Sequence, residues 1–121
     1  MIIEEKIVSH LLNSNIDGIG EDVYCERPLV PPDAYILIER TAGNESNFLR
    51  TAMVAVQSIS SQSLQAAAEI NEAVLDAMET FREETENVFG CALNSNYNFT
   101  DITTKEYRYQ AVFDIRYQKE V

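Results

Sequence analysis

Pro32-Asp33 followed by Ile38-Glu39-Arg40-Thr41 has the outline of a metal-dependent nuclease. In such a site Asp33 and Glu39 would hold a divalent cation, and a nearby lysine would steady the attacked phosphate or the attacking water. Thr41 stands where that lysine belongs, so the charge supply is missing. His10 is the only histidine, and it falls in a short amphipathic stretch with no Gly-x-Ser-x-Gly elbow beside it, which leaves a serine or cysteine nucleophile without a base. The four glycines, Gly18, Gly20, Gly43 and Gly90, are too scattered to cradle a phosphate. Cys25 and Cys91 lie far apart with no second cysteine or clustered histidine near either, which suits reduced, buried thiols rather than a zinc site or a disulfide framework. Glu79, Glu83, Glu84 and Glu86 read as a solvated face, because a metal site needs ligands converging from several elements. The residues predict no catalytic group, no metal and no cofactor, with a small metal-dependent nuclease as the enzymatic alternative.

The elements that would position these residues follow from periodicity. Ile3, Ile7, His10 and Leu11 share one helical face between about Ile2 and Leu12, with Glu4 and Glu5 in the first turn, where carboxylates oppose the helix dipole. Asn13 to Gly20 ends this helix, and Val23 to Arg27 reads as a first strand. Pro28, Pro31 and Pro32 then fix an extended connector and remove backbone donors. Ala34 to Arg40 is a second strand, Thr41 to Asn47 has the composition of a hairpin turn, and Phe48 to Ile59 a third strand. Its run Ala52-Met53-Val54-Ala55-Val56 is apolar without alternation, which means burial on both faces, by a central place in the sheet or by another subunit.

A helix is predicted from Gln62 to Glu84, carrying Leu64, Ala67, Ala68, Val74, Leu75, Met78 and Phe81 at helical spacing and fraying after Arg82, where glutamates meet the negative end of the dipole. A fourth strand near Val88 to Asn94 and a long final strand complete the chain. In the final strand Tyr107, Tyr109, Ala111, Phe113, Ile115 and Tyr117 alternate with Arg108, Gln110, Asp114 and Arg116, so a one-residue slip would turn the aromatic set to water. The order α-β-β-β-α-β-β describes an α+β fold, a two-layer sandwich with a mostly antiparallel sheet. At 121 residues it is read as one domain spanning the whole chain.

Nine basic against twenty acidic side chains give a formal charge of −11, so the summed field repels phosphate, and the basic residues form no stripe. Acids among the first six residues, and the absence of an apolar run near 20 residues, predict a chain that is neither exported nor membrane-spanning. Tyr97 and Phe99 sit in the Asn-rich run Asn94 to Asp101, which is too polar for a core strand. That run, Gly43 and Asn44 in the predicted turn, and Arg108 on the outward face of the final strand are the candidate subunit contacts.

The segment Asn94-Ser-Asn-Tyr-Asn-Phe-Thr-Asp101, leading into Lys105-Glu-Tyr-Arg-Tyr-Gln110, resembles the tail terminator (tail completion) proteins of long-tailed bacteriophages and prophages. Tyr24-Cys-Glu-Arg-Pro28, Tyr35 to Thr41 and Val54 to Ser58 are similar to the same family, so the resemblance runs from about Gly20 onward, and the first helix is only generically alike. The resemblance implies a virion tail protein without catalytic role, assembled in the host cytoplasm. It implies a ring, hexameric like the tube, that caps the tail tube protein and faces a head-side connector protein, with DNA passing through the lumen without tight binding. Another head-tail connector or minor tail subunit is the alternative within the same class.

Overall fold

A computed structural model describes residues 1–46, 49–101, 103–104 and 106–118. The elements are α1 (Ile3–Asn13), β1 (Val23–Tyr24), β2 (Ala34–Ser46), β3 (Leu49–Ser60), α2 (Leu64–Met78), α3 (Phe81–Glu84), β4 (Val88–Asn98) and β5 (Tyr107–Gln118). They build the expected α+β sandwich, with one five-stranded sheet in the order β1-β2-β3-β5-β4 and helices packed on one face. All pairings are antiparallel except β1 with β2.

The helix-side core joins Ile3, Ile7 and Leu11 of α1, Ile70, Val74 and Met78 of α2, and Phe81 to the inward residues of the sheet. Ala111, Phe113, Ile115 and Tyr117 line that core, as their alternation requires, whereas Tyr107 and Tyr109 are only half-buried at the start of β5. His10 is a brace between helices: its Nε2 lies 2.6 Å from the Ala77 carbonyl, its Nδ1 3.5 Å from the Glu84 carboxylate, and its ring meets Phe81 edge-on.

Several boundaries differ from the sequence reading. β1 is two residues long, stopping short of Arg27. The predicted turn at Thr41 to Asn47 is strand as far as Ser46, because β3 continues opposite it and pairs Ala42 with Met53 through Ser46 with Leu49. A register shift between Arg40 and Ala42 absorbs Thr41, whose hydroxyl donates to the Met53 carbonyl at 3.2 Å. Cross-strand pairing here overrides the turn preference of Gly and Asn. Asn47, the predicted strand start Phe48, and Lys105 and Lys119 lie outside the described residues.

The second helix stops at Met78 and resumes as the single turn α3, rather than running to Glu84. Thr80 donates its hydroxyl to the Ala77 carbonyl at 3.2 Å, a local bond that competes with the helical ladder, and the break spares a long helix the acid run at its negative end. Leu64, predicted to face the core, is 39% exposed at the first turn of α2. β4 extends through Asn98, well past Asn94. Cys25 is exposed rather than buried, while Cys91 is partly buried and its thiol is pushed up to about 11 by that burial, so it is protonated and unreactive at neutral pH.

Candidate functional site

The sheet face away from the helices is closed by side chains rather than by a second layer of secondary structure. β3 is the central strand, and Ala55, Gln57 and Ile59 on this face are buried. Gln57 donates to Gln110 Oε1 at 3.0 Å, and Gln110 donates to the Tyr97 hydroxyl at 2.5 Å. A second network centres on Glu106, 7% exposed, which accepts from Arg27 at 2.9 Å and from the Tyr35 hydroxyl at 3.0 Å, with Arg108 at 3.7 Å. The Arg27 bond straps the proline-rich connector across this face. Burial, then the bond to the Glu106 carboxylate, raises the Tyr35 phenol above its usual value.

Tyr97, Phe99 and Arg108 come together on this face. The Tyr97 and Phe99 rings meet edge-on with centroids 5.9 Å apart, and the Arg108 guanidinium lies 6.0 Å from the Phe99 ring centroid. They are not on a free loop: Tyr97 belongs to β4, and the Phe99 N–H donates to the Arg108 carbonyl at 2.7 Å. Beyond them Asp101 accepts from the Thr103 hydroxyl at 2.6 Å and its backbone N–H at 3.0 Å, bonds that hold its carboxyl below the usual range. Both rings remain exposed, at 41% and 48%. The edge strand that carries Tyr97 holds no charged residue from Val88 to Asn98 in a chain that is 24% charged. A long uncharged edge with Phe89 and Leu93 also exposed lacks the charged gatekeepers that usually blunt such edges.

Gly43 and Asn44 are placed elsewhere. They sit on the far half of β2, where Gly43 pairs with Ala52, while Tyr97 is level with Gln57 through Gln110. Strand rise and spacing put the two patches roughly 20 Å apart. Residues of this face that the sequence reading missed are Arg27, Tyr35, Gln57 and Glu106. Only pairing reveals them, because each is contributed by a different element.

The nuclease outline does not assemble. Asp33 precedes β2 and Glu39 lies on that same strand, roughly 20 Å further along, far beyond the reach of one ion with ligands near 2–2.5 Å. Asp33 instead accepts from the Ser61 hydroxyl at 3.4 Å. A hollow of about 650 Å³ between α2 and the segment 17–22 is lined by Asp17, Asp22, Asp33 and Glu69 among others, with neither histidine nor cysteine among its lining residues. No group of three or more potential metal ligands occurs among the described residues.

No family model matches the chain, and no curated protein matches it. Among solved structures, it is similar to a chain from the virion of a native gene transfer agent (GTA) particle, with a TM-score of 0.70 and 15% identity over 97% of this chain and 95% of that one. That likeness is one of fold. It runs nearly end to end in both chains.

Proposed function

We propose that the chain is a virion structural protein of the phage type, and within that class a tail terminator that caps the tail tube as a ring and presents a surface to the head-side connector. The observation that carries the virion reading is the full-length fold likeness to a virion chain. The terminator role is supported by the resemblance of the segments Asn94 to Asp101 and Lys105 to Gln110. It is also supported by the separation of the two candidate patches on one subunit, since head-to-tail contacts in a closed ring use two different surfaces. Six copies follow from the symmetry of the tube in the resembled family. Its place is the virion tail, reached by assembly in the host cytoplasm.

Particles made without this protein test the reading. Overlong or headless tails are expected; tails of normal length that only fail to join heads would reassign it to the connector class, and unaffected particles would remove it from the virion.

Two further outcomes follow. A Tyr97→Ser, Phe99→Ser variant should still fold, with some stability lost because buried Gln110 no longer donates to the Tyr97 hydroxyl, yet leave tails uncapped. Normal complementation of a knockout would show that these rings make no assembly contact. The isolated protein should bind duplex DNA no tighter than about 10⁻⁴ to 10⁻⁶ M at physiological salt, given its charge of −11. Sub-micromolar binding that weakens steeply with salt would contradict a lumen that lets DNA slide.

A further inference from the structure

Among the described residues the sheet is open along both outer strands. β4 has a strand on one side only, β5, and β1 covers the outer side of β2 at Ile36 and Leu37 and no further. Every residue of β2 from Glu39 to Asn44 is exposed, as is every residue of β4 from Ala92 to Asn98 except half-buried Ser95. The pairing already made fixes which backbone groups point outward, because successive residues of a strand turn their N–H and C=O to opposite sides. The Gln118 N–H donates to the Asn87 carbonyl and the Phe99 N–H to the Arg108 carbonyl, so even-numbered residues of β5 bond to β4 and odd-numbered ones to β3. Cys91 and Leu93, opposite Ile115 and Phe113, therefore aim their N–H and C=O away from β5. Carried through β3, the same alternation turns Arg40 and Gly43 outward on β2, in step with the Ile36 N–H, which donates outward to the Asp22 carbonyl at 2.9 Å.

These two sets of outward groups are level with each other. Cross-strand partners run Arg40, Val54, Phe113, Leu93 on one line and Gly43, Ala52, Ile115, Cys91 on another. Three antiparallel pairings separate β2 from β4, so the two strands run in opposite directions. A second copy laid in line with the first, edge to edge, therefore presents an antiparallel β2 to β4 and sets Arg40 beside Leu93 and Gly43 beside Cys91, donors opposite acceptors. No slip of register is needed, and the helices of both copies stay on one side of the joined sheet. The extra residue of β2 between these positions would face Ala92 as it already faces Met53 within one copy. β4 carries no charge, so the repulsion between copies of charge −11 is least along this edge.

We infer that β4 of one copy pairs antiparallel with the uncovered half of β2 of a second copy, Leu93 with Arg40 and Cys91 with Gly43, so that one sheet continues from subunit to subunit. The inference rests on the ring reading above, which calls for a head-to-tail contact, and names the strands that make it. Pairing of β4 with β4 of a second copy would satisfy the same β4 groups, but it stops at two copies and leaves β2 open.

Amide hydrogen exchange of the full chain under reducing conditions, from micromolar to millimolar protein with sedimentation velocity alongside, tests it. A paired amide exchanges only from the unpaired population, so the amides of Arg40, Gly43, Cys91 and Leu93 are expected to slow together, by about tenfold when about nine-tenths of the copies are assembled. Slowing at Cys91 and Leu93 alone would mean β4 with β4, and assembly that leaves all four amides fast would place the contact elsewhere; either result overturns the inference. Leu93→Pro removes one outward donor and keeps the bonds to β5, since an edge strand tolerates proline where its N–H faces water. It is expected to weaken self-association at least about tenfold. Leu93→Lys, which charges the edge and leaves the backbone intact, is expected to do the same and covers the case in which the proline variant does not fold. A folded variant that assembles like the wild type overturns the strand contact, as does a wild type that stays monomeric at millimolar concentration. The ring reading falls with it only if particles made without the protein are also unaffected.

Discussion

Phe113→Ala is expected to lower stability by about 3 to 5 kcal/mol, the range for emptying a buried aromatic site. Phe113 is 4% exposed on β5, level with Val54 of the central strand and Leu93 of β4, and it belongs to the helix-side core. With strands on both sides of β5 and helices above it, the surroundings have little freedom to collapse, which places the cost toward the upper part of the range. Chemical denaturation measures it, and a loss below about 1 kcal/mol would mean that this face of β5 is not core. Because Phe113 lies far from the exposed rings of Tyr97 and Phe99, its effect should add to theirs within a few tenths of a kcal/mol.

Glu106→Ala is expected to cost about 2 to 3 kcal/mol through a different mechanism. The carboxylate is 10% exposed by its side chain and serves Arg27, Tyr35 and Arg108 at once. Removing one partner from a buried ionic group commonly costs about 3 to 5 kcal/mol, mostly from the groups left behind. Arg27 is half-exposed and turns to water at little cost, so the figure falls below that range. Arg108 and the Tyr35 hydroxyl keep the penalty, since Tyr35 is 1% exposed. A double-mutant cycle with Tyr35→Phe should show clear coupling, and strict additivity would mean that the two groups do not act together.

The same network sets an alkaline limit. The Tyr35 pKa is raised in the folded chain, so above the ordinary phenol value near 10 the unfolded chain ionises first. The contribution is fully present below that value and is lost as pH rises through the folded one. Tyr35→Phe should flatten the decline of stability above pH 10, and an unchanged slope would place its origin elsewhere.

Local pattern decided much of this protein. The alternation from Tyr107 to Tyr117 specified which side of β5 faces the helices, because a period of two leaves one register that buries Phe113 and Ile115. Helical spacing placed Ile3, Ile7, His10 and Leu11 on the buried face of α1, and the unbroken apolar run at Ala52 to Val56 required a strand covered on both sides. What tertiary structure alone decided is non-local. β2 passes through Gly43 and Asn44 as paired strand because β3 lies opposite, and Tyr97 lies on a strand because β5 does, although both segments have turn-like composition. Gln57, Glu106 and Gln110 look like surface residues and are buried, since hydrogen bonds from other strands and from the Arg27 strap satisfy most of their polar atoms. Leu29 and Val30 look like connector residues that could turn inward. The prolines beside them and the two fastenings of their segment hold them in water, and no window of sequence contains the partners that do so.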